Sequence, residues 1–178
     1  MKIIEKQKKG FLLAEETLKL ILAVIAIVFL AYLLFSLYRA NRDAKDLNLA
    51  KESLAFLFQE INTQKTEVDI YNPDGWVILS WPYQDEGKRP KSCSNLGWGS
   101  CICIVDDLNL GNQLLSTLPF TTNVRDKFLK KTDEKGTCIE NIKNLIVKKE
   151  GDQQQPILIE NPPVKLIIDY QNKKISKG

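Results

Sequence analysis

The chain has 178 residues, enough for a membrane segment and one small domain, with a net charge of +3 and no histidine. Without histidine the commonest general base and metal ligand are missing, which argues against an enzyme and is consistent with a chain that needs no cofactor. Lys2, Lys6, Lys8 and Lys9 against Glu5 account for the whole excess charge; the lysine doublets elsewhere read as solvated faces, so no nucleic-acid partner is expected.

Residues 1–10 form a basic leader. After Glu15, Glu16 and Lys19, the stretch from Leu20 to Tyr38 carries no formal charge over 19 residues. At about 1.5 Å per residue it spans about 28 Å, close to a bilayer's hydrocarbon core. A transmembrane helix over about residues 18–38 is expected, with the lipid bilayer as partner. The lysine-rich leader places the N-terminus in the cytoplasm and the rest of the chain outside, because positive flanks stay inside. Large residues around Phe35 to Tyr38 leave no small-x-small cleavage site, against a cleaved secretory signal.

Beyond the apolar stretch the helical pattern continues. Ala40, Ala44, Leu47, Ala50, Leu54, Leu57, Phe58 and Ile61 recur every three or four residues with no Pro or Gly between them. This stripe predicts an amphipathic stalk over residues 39–63, so that one helix of roughly 78 Å runs from about residue 12 to 63. The pattern fades at Asn62-Thr63-Gln64.

Lys8-Lys9-Gly10-Phe11-Leu12-Leu13-Ala14-Glu15, followed by the apolar run and the uninterrupted helix, resembles the N-terminus of a type IV prepilin. The resemblance covers residues 8 to about 63 and is carried by Gly10, Phe11, Glu15 and the long helix together. It implies that a prepilin peptidase cuts the Gly10–Phe11 bond on the cytoplasmic side. Phe11 then becomes the first residue of the mature chain, residues 11–63 its helix, and Glu15 the family's glutamate at the fifth mature position. The free amine of Phe11 is an uncompensated charge in an apolar helix bundle, and a carboxylate from a neighbouring subunit offsets it in one register only. Processing is thus expected at Lys8, Lys9, Gly10 and Phe11, and assembly through Phe11 and Glu15, with other pilin-like subunits as partners. The chain departs from the bacterial Phe-Thr-Leu-Ile-Glu pattern, carries an additional acid at Glu16 and has no helix proline; with a small cysteine-containing head it is closer in style to archaeal pilin-like proteins.

Residues 64–178 read as a β-rich head. Asp74-Gly75 marks a turn into a strand from Trp76 to Trp81, closed by Pro82. Residues 84–100 read as loop. A strand is expected at Cys101–Val105 and a short helix over residues 123–131, capped by Asn123. Further strands are expected at residues 144–148, 156–160 and 164–170. In the last, Val164, Leu166, Ile168 and Tyr170 alternate with polar residues, as in a half-buried antiparallel strand.

The head holds Cys93, Cys101, Cys103 and Cys138. An even count in a small domain outside the cytoplasm favours two disulfides. Cys101 and Cys103, two apart on a strand, point to one face and suit separate partners: one takes Cys93 and the other Cys138. The spacing leaves open which takes which. Zinc is the less favoured reading, because the C-x7-C-x-C-x34-C spacing has no C-x2-C knuckle. A redox C-x-C is less favoured because no Lys, Arg or His adjoins it. Asp107 to Gly111 resembles the start of a calcium loop, but Leu118 stands where the closing Glu belongs. Trp76 and Trp81 face opposite sides of their strand, and Trp98, in a glycine-rich loop, is the candidate for an exposed surface contact.

The expected class is therefore α+β: a long N-terminal membrane-spanning α-helix followed by a small antiparallel β-rich head with disulfides. The expected function is that of a pilin-like subunit, built into or priming a surface filament for adhesion, motility or secretion, without catalysis. The alternative is an unprocessed single-pass anchor carrying an extracellular binding domain.

Overall fold

A computed structural model describes residues 4–83, 87–106, 122–148 and 154–178, the side chains before Glu16 and those of Thr122 and Asn123 excepted. Helix α1 runs unbroken from Ile4 to Asn62, 59 residues, and so takes in leader residues 4–10 as well as the expected segment. It ends where the apolar stripe fades. Gln64 adopts a left-handed φ of 60° and the Lys65 amide donates to the Glu60 carbonyl at 3.1 Å, satisfying one of the helix's last acceptors.

The chain divides into two compact units, Met1–Ala44 and Lys45–Gly178. In the first, the helix is long and apolar enough to cross a membrane, and its large residues from Leu18 to Tyr38 are exposed. The second unit begins inside the helix. Its stripe is buried only from this point on: Ala50, Leu54, Leu57 and Ile61 are core residues and Leu47 packs against them, whereas Ala40 and Ala44 are exposed. One face of the last turns of α1, from Leu47 to Ile61, is therefore part of the head's core.

The head contains two four-stranded sheets. The first has the order β1-β7-β8-β5, from β1 (Glu67–Ile70), β7 (Val164–Asp169), β8 (Lys174–Lys177) and β5 (Ile146–Val147). The second has the order β4-β3-β2-β6, from β4 (Thr137–Glu140), β3 (Cys101–Asp106), β2 (Trp76–Trp81) and β6 (Ile157–Leu158). All pairs are antiparallel except β5 with β8. Among the described residues two helices accompany them, α2 (Lys91–Ser94) and α3 (Thr122–Lys135).

Strand alternation sorts the apolar residues into two cores. Trp76 and Ile78 of β2 and Ile102 and Ile104 of β3 join α1 and the first sheet in the larger one. Val77, Leu79 and Trp81 of β2, with Cys101, Cys103 and Val105 of β3, join Phe128 of α3 and Cys93 of α2 in the smaller one. Both faces of β2 and β3 are thus covered, which is why these strands read as continuous apolar runs. β7 shows the alternation expected of it: Val164, Leu166 and Ile168 are buried, Lys165 and Ile167 exposed.

Several local features depart from expectation. Residues 91–94 of the expected loop are helical, and strands β1, β4 and β8 carry no expectation at all. The strands expected at 144–148 and 156–160 shrink to two paired residues each. Helix α3 is described from Thr122 to Lys135, longer than the expected 123–131; the side chain of Asn123, the expected cap, lies outside the described residues. Its end requires Gly136, whose amide donates to the Thr132 carbonyl at 3.0 Å; a Cβ there would lie 2.8 Å from Thr132 backbone atoms. The Asp74-Gly75 turn is present. The Trp76 amide faces the Pro73 carbonyl at 3.4 Å, and Gly75, with φ of 78°, takes the position that requires the left-handed region.

Tyr83 closes the smaller core, and its hydroxyl donates to the Gln154 carbonyl. Burial raises its pKa to about 12, with Arg125 pulling weakly the other way. An unfolded tyrosine ionises near 10. Between these values the unfolded chain has lost a proton that the native chain keeps, so stability falls as pH rises through that window. In a spectrophotometric titration a late tyrosine ionisation is expected, and Tyr83→Phe to remove that step. Unchanged late ionisation in the variant would refute the assignment.

Candidate functional site: the N-terminal helix and the cysteine cluster

Two groups of sequence-predicted site residues behave differently. Lys8, Lys9, Gly10, Phe11 and Glu15 all fall on α1. Their side chains lie outside the described residues. Immediately after them Glu16 and Lys19 are exposed, and further along the guanidinium of Arg39 sits 4.4 Å from the centroid of the Phe35 ring, one helical turn back.

The cysteines are brought together by three elements. Cys101 and Cys103 project from one face of β3, opposite Ile102 and Ile104. The β3–β4 register sets Cys138 directly across from Cys103. The short helix α2 carries Cys93. Cys93 pairs with Cys101 at an S–S distance of 1.99 Å, and Cys103 with Cys138 at 2.03 Å, leaving no free cysteine. Separate partners for Cys101 and Cys103 match the same-face expectation, and register decides which partner each takes. A bridge of this kind contributes about 2–4 kcal/mol, more where the closed loop is longer. The bridge across 35 residues is thus the stronger constraint, tying α3 and β4 back to β3.

The segment before β3 is held by backbone contacts. The Lys91 amide donates to Asp133 Oδ1 at 2.6 Å, joining α2 to α3. Arg89 donates to the carbonyls of Trp98 and Gly99 at 2.7 and 3.0 Å. The Trp98 amide donates to the Cys93 carbonyl at 3.1 Å. Trp98 is consequently half-buried and packs against the smaller core, so it is less available as a surface contact than its glycine-rich loop implies. Leu96, in the same loop, is 63% exposed and is the more accessible apolar residue. Both Trp76 and Trp81 are buried, one in each core. Asp107 to Gly111 and Leu118 lie outside the described residues.

With its cysteines paired, the cluster presents no thiolate nucleophile. Its evident chemistry is cross-linking. No protein-family model, curated protein or solved structure matches this chain.

Proposed function

We propose that the chain is a type IV pilin-like subunit, cut after Gly10 by a prepilin peptidase and assembled into, or priming, a surface filament. The observation that carries this reading is the form of α1. A single helix runs unbroken from the Gly10-Phe11…Glu15 motif through an exposed apolar stretch to residues that are core in the head. Such an uninterrupted helix from the motif to the head is what the resemblance to a prepilin leads one to expect. In this reading the head lies outside the membrane, where disulfides persist. The filament would serve adhesion, motility or secretion.

The test is the N-terminus and intact mass of the protein purified from its native membrane. A chain beginning at Phe11 is the expected result. A chain retaining the leader would favour the unprocessed anchor with an extracellular binding domain.

A further inference from the structure

The four sulfurs form a tighter group than two disulfides require. One Sγ from each of Cys93, Cys101, Cys103 and Cys138 lies within 4.8 Å of all the others. The non-bonded contacts Cys93–Cys103 and Cys101–Cys103 are both 3.9 Å. Four thiolates at about 2.3 Å from a tetrahedral zinc stand about 3.8 Å apart. Two edges of such a tetrahedron are therefore already at length, and the two bonded pairs are the edges that reduction would release.

We propose that in the reduced chain these four cysteines form a binding site for a zinc(II)-class ion. The chain spacing has no C-x2-C knuckle, but the fold supplies an equivalent: β3 gives two ligands from one face, β4 a third directly across, and α2 a fourth. An all-thiolate donor set selects a borderline-soft ion over calcium or magnesium. Cys93, Cys101 and Cys103 are buried while Cys138 is half-buried, which leaves one side for entry. On that side Ser92 Oγ donates toward Cys138 Sγ at 3.4 Å, the kind of outer contact that steadies a thiolate ligand. The site is exclusive with the disulfides. Opening both takes four electrons and four protons, which two equivalents of a phosphine supply with water as each becomes its oxide. The ion then displaces the thiol protons as it binds. This proposal is independent of filament assembly.

The test uses the full chain in detergent, reduced with a phosphine under anaerobic conditions and titrated with cobalt(II) and then zinc(II). One equivalent of cobalt should give the intense visible bands of tetrahedral thiolate coordination, and one equivalent of zinc should abolish them. The near-UV circular dichroism of the head should be retained or regained with zinc. Cys93→Ser and Cys138→Ser should each weaken binding by at least about tenfold. The oxidised chain should bind nothing. Absence of the thiolate bands overturns the proposal. So does a reduced head that zinc does not restore, affinity unchanged in both variants, or equal binding by the oxidised chain.

Discussion

Leu57→Asp is expected to unfold the head while leaving the apolar half of α1 helical. Leu57 is fully buried on the face of α1 that packs with Val68 and Ile70 of β1 and Leu166 and Ile168 of β7 in the larger core. Removing a buried leucine side chain costs about 2–5 kcal/mol by itself. A carboxylate in the same place, set among apolar core residues, adds a desolvation penalty of several kcal/mol. The sum rivals the 5–15 kcal/mol that holds a typical domain together. Phe56, one residue earlier and 44% exposed, provides the comparison. Phe56→Asp should change stability by about 0.5 kcal/mol or less. Near-UV circular dichroism and limited proteolysis of the full chain in detergent distinguish them. A cooperative melt retained in Leu57→Asp would mean that the head folds without the helix, and the helix would then be a tether.

The same residues show what was legible in the sequence. The period of α1 could be followed past the membrane-type stretch because nothing interrupts it, and of the positions it marks from Leu47 onward all but the half-buried Phe58 belong to or pack against the larger core. What periodicity did not reveal is that this stretch is interior to the head, because a stalk and a core helix present the same one-sided stripe. Strands β2, β3 and β7 carry enough apolar residues to be recognised from local sequence. Strand β8, Lys174 to Lys177, buries Ile175 alone; its conformation comes from pairing with β7 and β5, a long-range cause that four residues cannot encode. Strands β1 and β4 are equally short. Cys101 and Cys103 could be assigned separate partners from the strand period, but the choice of Cys138 for Cys103 depends on β3–β4 register. The burial of both Trp76 and Trp81 follows from a second cover over β2 and β3 by α2 and α3, elements whose extent the sequence only half revealed. The resemblance of residues 8–15 to a prepilin N-terminus rests on the sequence alone.

That motif makes the other large prediction. Under the proposed function, Glu15→Ala should abolish incorporation into filaments while leaving the head folded. After cleavage the amine of Phe11 enters an apolar bundle of helices, where an unpaired charge is costly, and Glu15 of an adjacent subunit is the group that offsets it. Removing one partner of a buried ion pair costs about 3–5 kcal/mol. At about 1.4 kcal/mol per tenfold, each subunit's addition is weakened by about two to three and a half orders of magnitude. Because the addition repeats along a filament, such a loss per step leaves no long polymer. Glu15→Gln keeps the shape and removes the charge, so it should fail as Glu15→Ala does. Glu16→Ala separates charge at this depth from charge in this register. A neighbouring helix position points about 100° away, so that variant should still assemble. The measurement is the ratio of subunit in the sheared surface fraction to subunit in the membrane, with the head's disulfides checked on non-reducing gels to show that folding is intact. Filaments at wild-type levels in Glu15→Ala would remove the pairing on which the proposed assembly rests. Equal loss in Glu16→Ala would show that assembly requires acidity near the start of the helix and not a carboxylate at one position.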